Sequence, residues 1–231
     1  MRIFISPEEA LNEIKRDLWE MGTRYQSTTV QDKFVENDPG YQTIELMGYS
    51  YMITKFSDME VFLSKGKANR AWVRAEIVER LSLPFRNPGV SWKQDEAIWK
   101  PFLRDGFFSY TYAERWQEQI PYVINELLRR PNSRQAMITM YDRHQDMMNW
   151  GGRDRVPCSV SYQFMIREGK LNVIYNQRSC DFIHFFPADV YFTIELLKHI
   201  AEAINVPVGY FVHFLGSLHA FSKDLAGENI F

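Results

Sequence analysis

The sequence predicts an α+β layer fold, on three observations. At 231 residues the chain is long enough to bury one sizeable core. Strand-like stretches gather in the carboxyl half, at VSYQFMIREGKLNVIYNQRS (160–179) and YFVHFL (210–215). Between them runs DVYFTIELLKHIAEAINV (189–206), the most apolar helical pattern of the chain. A helix apolar on all sides belongs inside, covered by other layers. No internal repeat or low-complexity linker divides residues 1–231, so they read as a single domain.

The remaining elements follow in chain order. MRIFISPEEALNEIKRDLWE opens a helix: Ser6 can cap it, Pro7 suits its first turn, and Glu8 and Glu9 face the positive end of its dipole. TTVQDKFVENDPGYQTIELMGYSYMIT (28–54) reads as a strand or hairpin region with a turn at Asp38-Pro39-Gly40. SDMEVFLSKGKANRAWVRAEIVERLS (57–82) fits two short helices, with Met59, Phe62, Leu63, Trp72, Val73, Ile77, Val78 and Leu81 at helical spacing. Residues 84–112, rich in Pro, Gly and aromatics, read as irregular, and QEQIPYVINELLRR (117–130) as a helix ending before Pro131. AMITMYD (136–142) begins the strand-rich half, and Glu168-Gly169-Lys170 marks a tight turn.

Composition narrows the function. The chain is 45% hydrophobic, 15% aromatic and 24% charged, which describes an ordinary globule rather than a disordered chain. A formal charge of -2 provides no field to draw in duplex nucleic acid. The amino terminus lacks a long apolar core, so neither a secretory signal nor a membrane span is expected. Two cysteines, Cys158 and Cys180, build neither a disulfide framework nor a four-cysteine zinc site, and a reducing cytoplasm is the expected compartment.

The stretch QRSCDFIHFFPAD (177–189) holds the candidate chemistry. A buried strand ordinarily avoids its polar start and a surface loop its aromatic middle, so something polar must be met inside. Cys158 follows Pro157 at the mouth of a strand, as a nucleophile or as a small buried thiol. Arg178 lies one hairpin away, where it would favour the thiolate or form a surface ion pair. Asp181 and Asp189 flank the aromatic run and need partners or a ligand, although Asp189 also stands where a helix cap would. Glu76 reads as solvated helix face, and Trp92, Trp99, Tyr110, Tyr112 and Trp116 as core. His184, His213 and His219 show no metal-ligand spacing with the cysteines, so satisfied hydrogen bonds are expected and no metal. The residues alone reach as far as a cysteine-nucleophile enzyme.

The order Pro157-Cys158, Gln177-Arg178-Ser179-x-Asp181, Pro187-x-Asp189 and Gly216-x-x-His219 resembles the thymidylate synthase family, and within it the phage deoxycytidylate hydroxymethylase branch. GYQTIELMGYSY (40–51), GFFSYTYAERW (106–116) and RRPNSRQAMITMYD (129–142) extend the resemblance over nearly the whole chain in order. It implies a thymidylate synthase-like three-layer α+β fold with a large mixed β-sheet and a central buried helix, forming one catalytic domain over residues 1–231. The implied reaction joins dCMP, 5,10-methylenetetrahydrofolate and water into 5-hydroxymethyl-dCMP and tetrahydrofolate. A phage-encoded enzyme of this kind would work in the host cytoplasm.

The resemblance also implies roles. Cys158 is the nucleophile toward C6 of the pyrimidine, Glu76 organises water and protons, and Tyr112 stands near the nucleophile. Arg178, Ser179 and Gln177 lie at the nucleotide, and His219 meets the sugar hydroxyl. Arg134 reaches the phosphate of a neighbouring subunit, which makes a homodimer part of the expectation. Asp181 and Trp99 meet the folate, with the aromatic run as its wall. Asp189 stands where thymidylate synthases place asparagine. A carboxyl accepts from the N4 amino group of cytosine and, when protonated, donates to N3, so it favours cytosine over uracil.

Some positions depart from the family pattern. Paired arginines become Arg134-Gln135, and the early phosphate loop carries Asp38, leaving Lys33 or Arg24 to compensate. A glycine beside the folate becomes bulky in Phe185-Phe186-Pro187-Ala188, Phe221 lacks a tyrosine hydroxyl, and Ser159 replaces histidine after the nucleophile. A synthase-like C5 methyltransferase, a hydroxymethylase for CMP or dUMP, and a catalytically silent binding protein remain the alternatives.

Overall fold

The computed structural model describes residues 1–30, 33–56, 59–147 and 155–225. Strand β1 (Arg2–Phe4) leads into helix α1 (Pro7–Met21), then β2 (Thr23–Gln26), β3 (Thr29–Val30), β4 (Lys33–Phe34) and the long β5 (Gln42–Ile53). Helices α2 (Met59–Ser64), α3 (Arg70–Leu81), α4 (Glu96–Trp99), α5 (Tyr112–Gln117) and α6 (Ile120–Arg129) follow. The second half contains β6 (Met137–Thr139), β7 (Ser159–Arg167), β8 (Lys170–Asp181), α7 (Phe186–Ala203), β9 (Val208–Phe221) and α8 (Ser222–Leu225).

Local chemistry explains the boundaries. Ser6 Oγ accepts from the Glu9 amide at 3.2 Å and starts α1 behind Pro7. Glu168 and Gly169 both adopt positive φ (53° and 71°), the two-residue turn whose twist matches an antiparallel hairpin, and so set the Arg167–Lys170 register of β7 and β8. The irregular stretch expected over 84–112 contains α4 and short 3-10 turns at Ser91–Asp95 and Lys100–Phe102.

The main sheet joins seven described strands in the order β1-β5-β9-β8-β7-β6, with β2 also on β5. β8 and β9 are parallel, whereas β5–β9, β7–β8 and β6–β7 are antiparallel, so the sheet is mixed. A parallel pair needs a crossover, and α7 supplies it. Its buried side chains include Phe186, Val190, Phe192, Ile194, Leu196, Leu197 and Ile200, each large one contributing about 1.5–3 kcal/mol of apolar transfer. α7 packs on β8 and β9 and also on α2, α3 and α6, which gives three layers with the helix in the middle. Among the described residues no helix is long and apolar enough to cross a membrane.

Two expectations about burial are corrected. Val78, assigned to the apolar face of α3, is 61% exposed, while Arg80 is only 4% exposed. The aromatic run divides: Phe182, Ile183 and Phe186 enter the core, and His184 and Phe185 stay half-buried.

Candidate active site

The thiol lies where β7 begins. Cys158 is half-buried, and Arg178 of the neighbouring strand β8 anchors beside it. The Arg178 amide donates to the Cys158 carbonyl at 2.8 Å, Nε donates to the Pro157 carbonyl at 2.8 Å, and Nη2 donates to the Val156 carbonyl at 3.0 Å. That leaves Nη2 3.9 Å from Sγ. Burial pushes the Cys158 thiol above its ordinary value, and the Arg178 and Arg155 guanidinium groups oppose that shift. Arg155 stacks over Trp99 at 4.3 Å and Tyr110 at 5.3 Å.

Tyrosines close over this end of the sheet. Thr111 and Glu114 form a reciprocal capping box that starts α5 at Tyr112, whose hydroxyl lies 3.5 Å from the Ser159 amide. Ser159 Oγ is 2.6 Å from the Tyr175 hydroxyl and 3.5 Å from that of Tyr162. Burial raises the pKa of Tyr112, Tyr162 and Tyr175, so these phenols remain neutral donors. Register aligns Tyr162, Tyr175, His213 and Tyr51 in one row across β7, β8, β9 and β5. The Tyr162 and Tyr175 rings stack at 4.4 Å, and Tyr175 and His213 at 4.5 Å.

Asp189 lies behind the row, in the first turn of α7. It does not cap the helix. Phe185 occupies the N-cap, and the Asp189 carboxyl turns inward, where Oδ2 accepts from Gln177 Nε2 at 2.7 Å and lies 3.7 Å from Cys180 Sγ. Burial raises its pKa to about 6, against the hydrogen bond from Gln177 and the Arg80 charge. Gln177 is itself buried, and its Oε1 is 3.0 Å from His213 Nε2. Both ends of its amide are therefore held by protein groups.

Helix α3 presents Glu76 one turn before Arg80. Arg80 Nε donates to Glu76 Oε1 at 2.9 Å, and Ser91 Oγ lies 2.7 Å from Oε2. The Arg80 guanidinium is held between rings, with Cζ 4.2 Å from the centre of Tyr112 and 3.9 Å from that of Phe192. Glu76 is thus an anchored carboxylate rather than the solvated face its spacing suggests.

The surroundings of Trp99 and Asp181, expected to meet the folate, are built differently. Trp99 packs on Trp72 at 5.2 Å and Phe185 at 6.3 Å, and its buried indole N–H has no partner among the described residues. Asp181 Oδ1 accepts from the Ile183 and His184 amides, and Oδ2 lies 2.9 Å from His184 Nδ1. Burial works to raise the Asp181 pKa, but the His184 contacts hold it below the usual carboxylate range. Three of about four acceptor positions on this carboxylate are filled, leaving one for a ligand. An aromatic face, an unpartnered N–H and one free acceptor position fit a flat, hydrogen-bonding heterocycle.

The other predicted residues are less concentrated. Ser179 pairs with Ser217 in the β8–β9 ladder, and His219 Nδ1 lies 3.3 Å from Ser217 Oγ. Arg134 is exposed, and its carbonyl accepts from Gln163, five residues along β7 from the Cys158 end. That is about 17 Å of strand, so Arg134 does not join the site within one protomer. Arg24 donates to the Trp19 carbonyl at 2.9 Å and stacks on the Trp19 ring. Asp38 caps its own turn by accepting from the Gly40 amide at 2.9 Å, and the Lys33 side chain lies outside the described residues.

The sheet order, the crossover helix and this end-of-strand thiol define a thymidylate synthase-like fold. The solved thermostable thymidylate synthase A from Bacillus subtilis superposes with a TM-score of 0.70 at 16% identity, covering 96% of this chain and 82% of that one. A family model described as Thymidylate synthase matches residues 62–228, and the chain belongs to that family. Curated relatives include a "Putative thymidylate synthase" of Methanosarcina acetivorans, 33% identical over 123 residues (51% of this chain, 55% of that protein). One of the same description from Methanocaldococcus jannaschii is 33% identical over 115 residues (49% of this chain, 52% of that protein). The match thus spans about half the length of these curated relatives.

Proposed function

We propose that this chain hydroxymethylates C5 of a pyrimidine nucleoside monophosphate, dCMP, using 5,10-methylenetetrahydrofolate and water and releasing tetrahydrofolate. The observation that carries this reading is the half-buried Asp189 carboxyl, turned inward, braced by Gln177 and held near a pKa of 6. It can carry a proton toward cytosine N3 and accept from the N4 amino group, a pattern that uracil does not match.

Cys158 Sγ bonds to C6 of the base, with Arg178 stabilising the thiolate beforehand and binding the nucleotide phosphate. Asp189 gives N3 a proton, so the ring can accept the electron pair that makes C5 nucleophilic. The folate, when bound against Trp99 and Phe185, supplies a carbon at the oxidation level of formaldehyde. Glu76, with Arg80 and Ser91 fixing its oxygens, orients the water that takes the C5 proton and the water that becomes the new hydroxyl. Departure of the Cys158 thiolate from C6, with return of the N3 proton to Asp189, restores the ring. Tyr112 and Ser159 keep the nucleophile end ordered, while Ser179 and His219 line the nucleotide side. A homodimer completes the reading, because Arg134 could then reach a partner's phosphate although it is remote from its own Cys158.

The test is tritium release from C5-labelled dCMP, CMP and dUMP, each with 5,10-methylenetetrahydrofolate, followed by product mass and folate absorbance. Release from dCMP with a hydroxymethyl product and no dihydrofolate supports the proposal. Stoichiometric dihydrofolate would assign a methyltransferase instead, preferential release from CMP would move the substrate to the ribonucleotide, and release from dUMP alone would remove the base-reading role from Asp189. Tight nucleotide binding without any release would describe a silent family member.

A further inference from the structure

We propose that Tyr51 and His213 are positioning residues that set the direction of a buried hydrogen-bond chain ending at Asp189, so that Oδ2 only accepts and Oδ1 alone carries the proton that meets the base. This rests on the base-reading role given to Asp189 above and deepens it.

The chain is continuous. The Tyr51 hydroxyl lies 2.8 Å from His213 Nδ1, His213 Nε2 lies 3.0 Å from Gln177 Oε1, and Gln177 Nε2 lies 2.7 Å from Asp189 Oδ2. Tyr51 and His213 are fully buried and Gln177 is 3% exposed, so water does not interrupt the line. Burial also keeps His213 neutral, with a pKa near 3, so its ring has one N–H to place.

Two directions are chemically complete along the middle of such a chain. In one, Tyr51 donates to Nδ1, Nε2–H donates to Gln177, and Gln177 donates to Asp189. In the other, Asp189 donates from Oδ2, the amide is turned over, and Nδ1–H donates to the Tyr51 oxygen. The ends decide between them. In the second direction the Tyr51 O–H has no acceptor among the described residues, and a buried orphan donor costs about 1–3 kcal/mol. In the first, only spare lone pairs of the phenol go unused. At the other end Cys180 also directs its thiol at Oδ2, a second donor to the same oxygen. The His213 ring is held in place by Tyr175, stacked at 4.5 Å, and by the edge of Tyr51 at 5.3 Å. The phenol that closes β5 therefore acts on the base through three intermediates without touching it.

The first test needs no activity. In protein labelled with ¹⁵N in its histidine rings, long-range ¹H–¹⁵N spectra should show His213 as the Nε2–H tautomer, and an Nδ1–H tautomer overturns the proposal. The second compares dCMP and dUMP dissociation constants for wild type, Tyr51→Phe and Asp189→Asn. Tyr51→Phe should lower the preference for dCMP roughly ten-fold, the scale of one misplaced buried donor, and a preference within two-fold of wild type overturns the proposal. If Asp189→Asn shifts the preference and Tyr51→Phe does not, the chain is wrong and the base-reading role stands. If Asp189→Asn leaves the preference unmoved, the base-reading role falls, and this inference with it.

Discussion

Replacing Asp189 with asparagine removes a carboxyl whose ionisation the fold opposes, and its effect on stability can be worked out. Folding moves this group from an ordinary value of 3.8 to about 6, roughly two units or about 3 kcal/mol. The folded protein binds the proton more tightly than the unfolded chain. The resulting stabilisation is complete below about pH 3.8 and is lost as pH rises through about 6. Asparagine has no proton to lose, and its carbonyl can still accept from Gln177. The stability of Asp189→Asn relative to wild type should therefore climb by about 3 kcal/mol between about pH 3.5 and about pH 7. Urea denaturation followed by the fluorescence of the six tryptophans reads this directly. Asp181 and His184 titrate in both proteins and cancel in the difference. Parallel pH profiles would refute the argument, because they would mean that Asp189 is as easily ionised inside the protein as in water.

Three further outcomes follow from the same geometry. Cys158→Ser should fold normally and lose tritium release by at least roughly 10⁴-fold; a rate within ten-fold of wild type would place the nucleophile elsewhere. Arg80→Met should cost about 3–5 kcal/mol, because Glu76 loses its buried partner, and adding Glu76→Gln should recover much of it; a double-mutant cycle with no coupling would contradict the pairing. Gly216→Ala places a Cβ 2.8 Å from the Arg178 carbonyl, so β8 and β9 must part locally at about 1–3 kcal/mol. Nucleotide KM should rise with it, and an unchanged KM would show that Arg178 does not depend on this close approach.

What was legible in the sequence was what neighbours along the chain decide. Ser6-Pro7 marks the start of α1, Glu168-Gly169 marks the hairpin, and the all-round apolar pattern of 189–206 marks a buried helix. Cys158 and Arg178 could be paired because one hairpin separates them. The contact of Tyr51 with His213 spans 162 positions, and no local pattern announces it. Tyr162 and Tyr175 show the two-residue alternation of an inward face, but only strand register places them in one row with His213. Arg80 was hidden for a different reason: an arginine four residues after a glutamate ordinarily marks a solvated helix face, and here the aromatic rings of Tyr112 and Phe192 take the place of solvent. Arg155 offered no signal beyond its nearness to Cys158.

The row of rings has a consequence for how the protein can fail. Tyr162, Tyr175, His213 and Tyr51 come from four strands, one of them joined to its neighbour only through α7. A slip of one residue in any pairing turns a ring to the opposite face of the sheet. A slip of β9 against both its neighbours would take His213 out of the stack, strand the Tyr51 hydroxyl and release Gln177 in a single event. A misregistered molecule could keep most of its backbone hydrogen bonds and still lack the ordered row of rings that braces Gln177 and Asp189. Far-ultraviolet circular dichroism would barely distinguish it from native protein, whereas near-ultraviolet tyrosine signals and nucleotide binding would disappear together. Correct strand pairing and a working site are, in this chain, the same event.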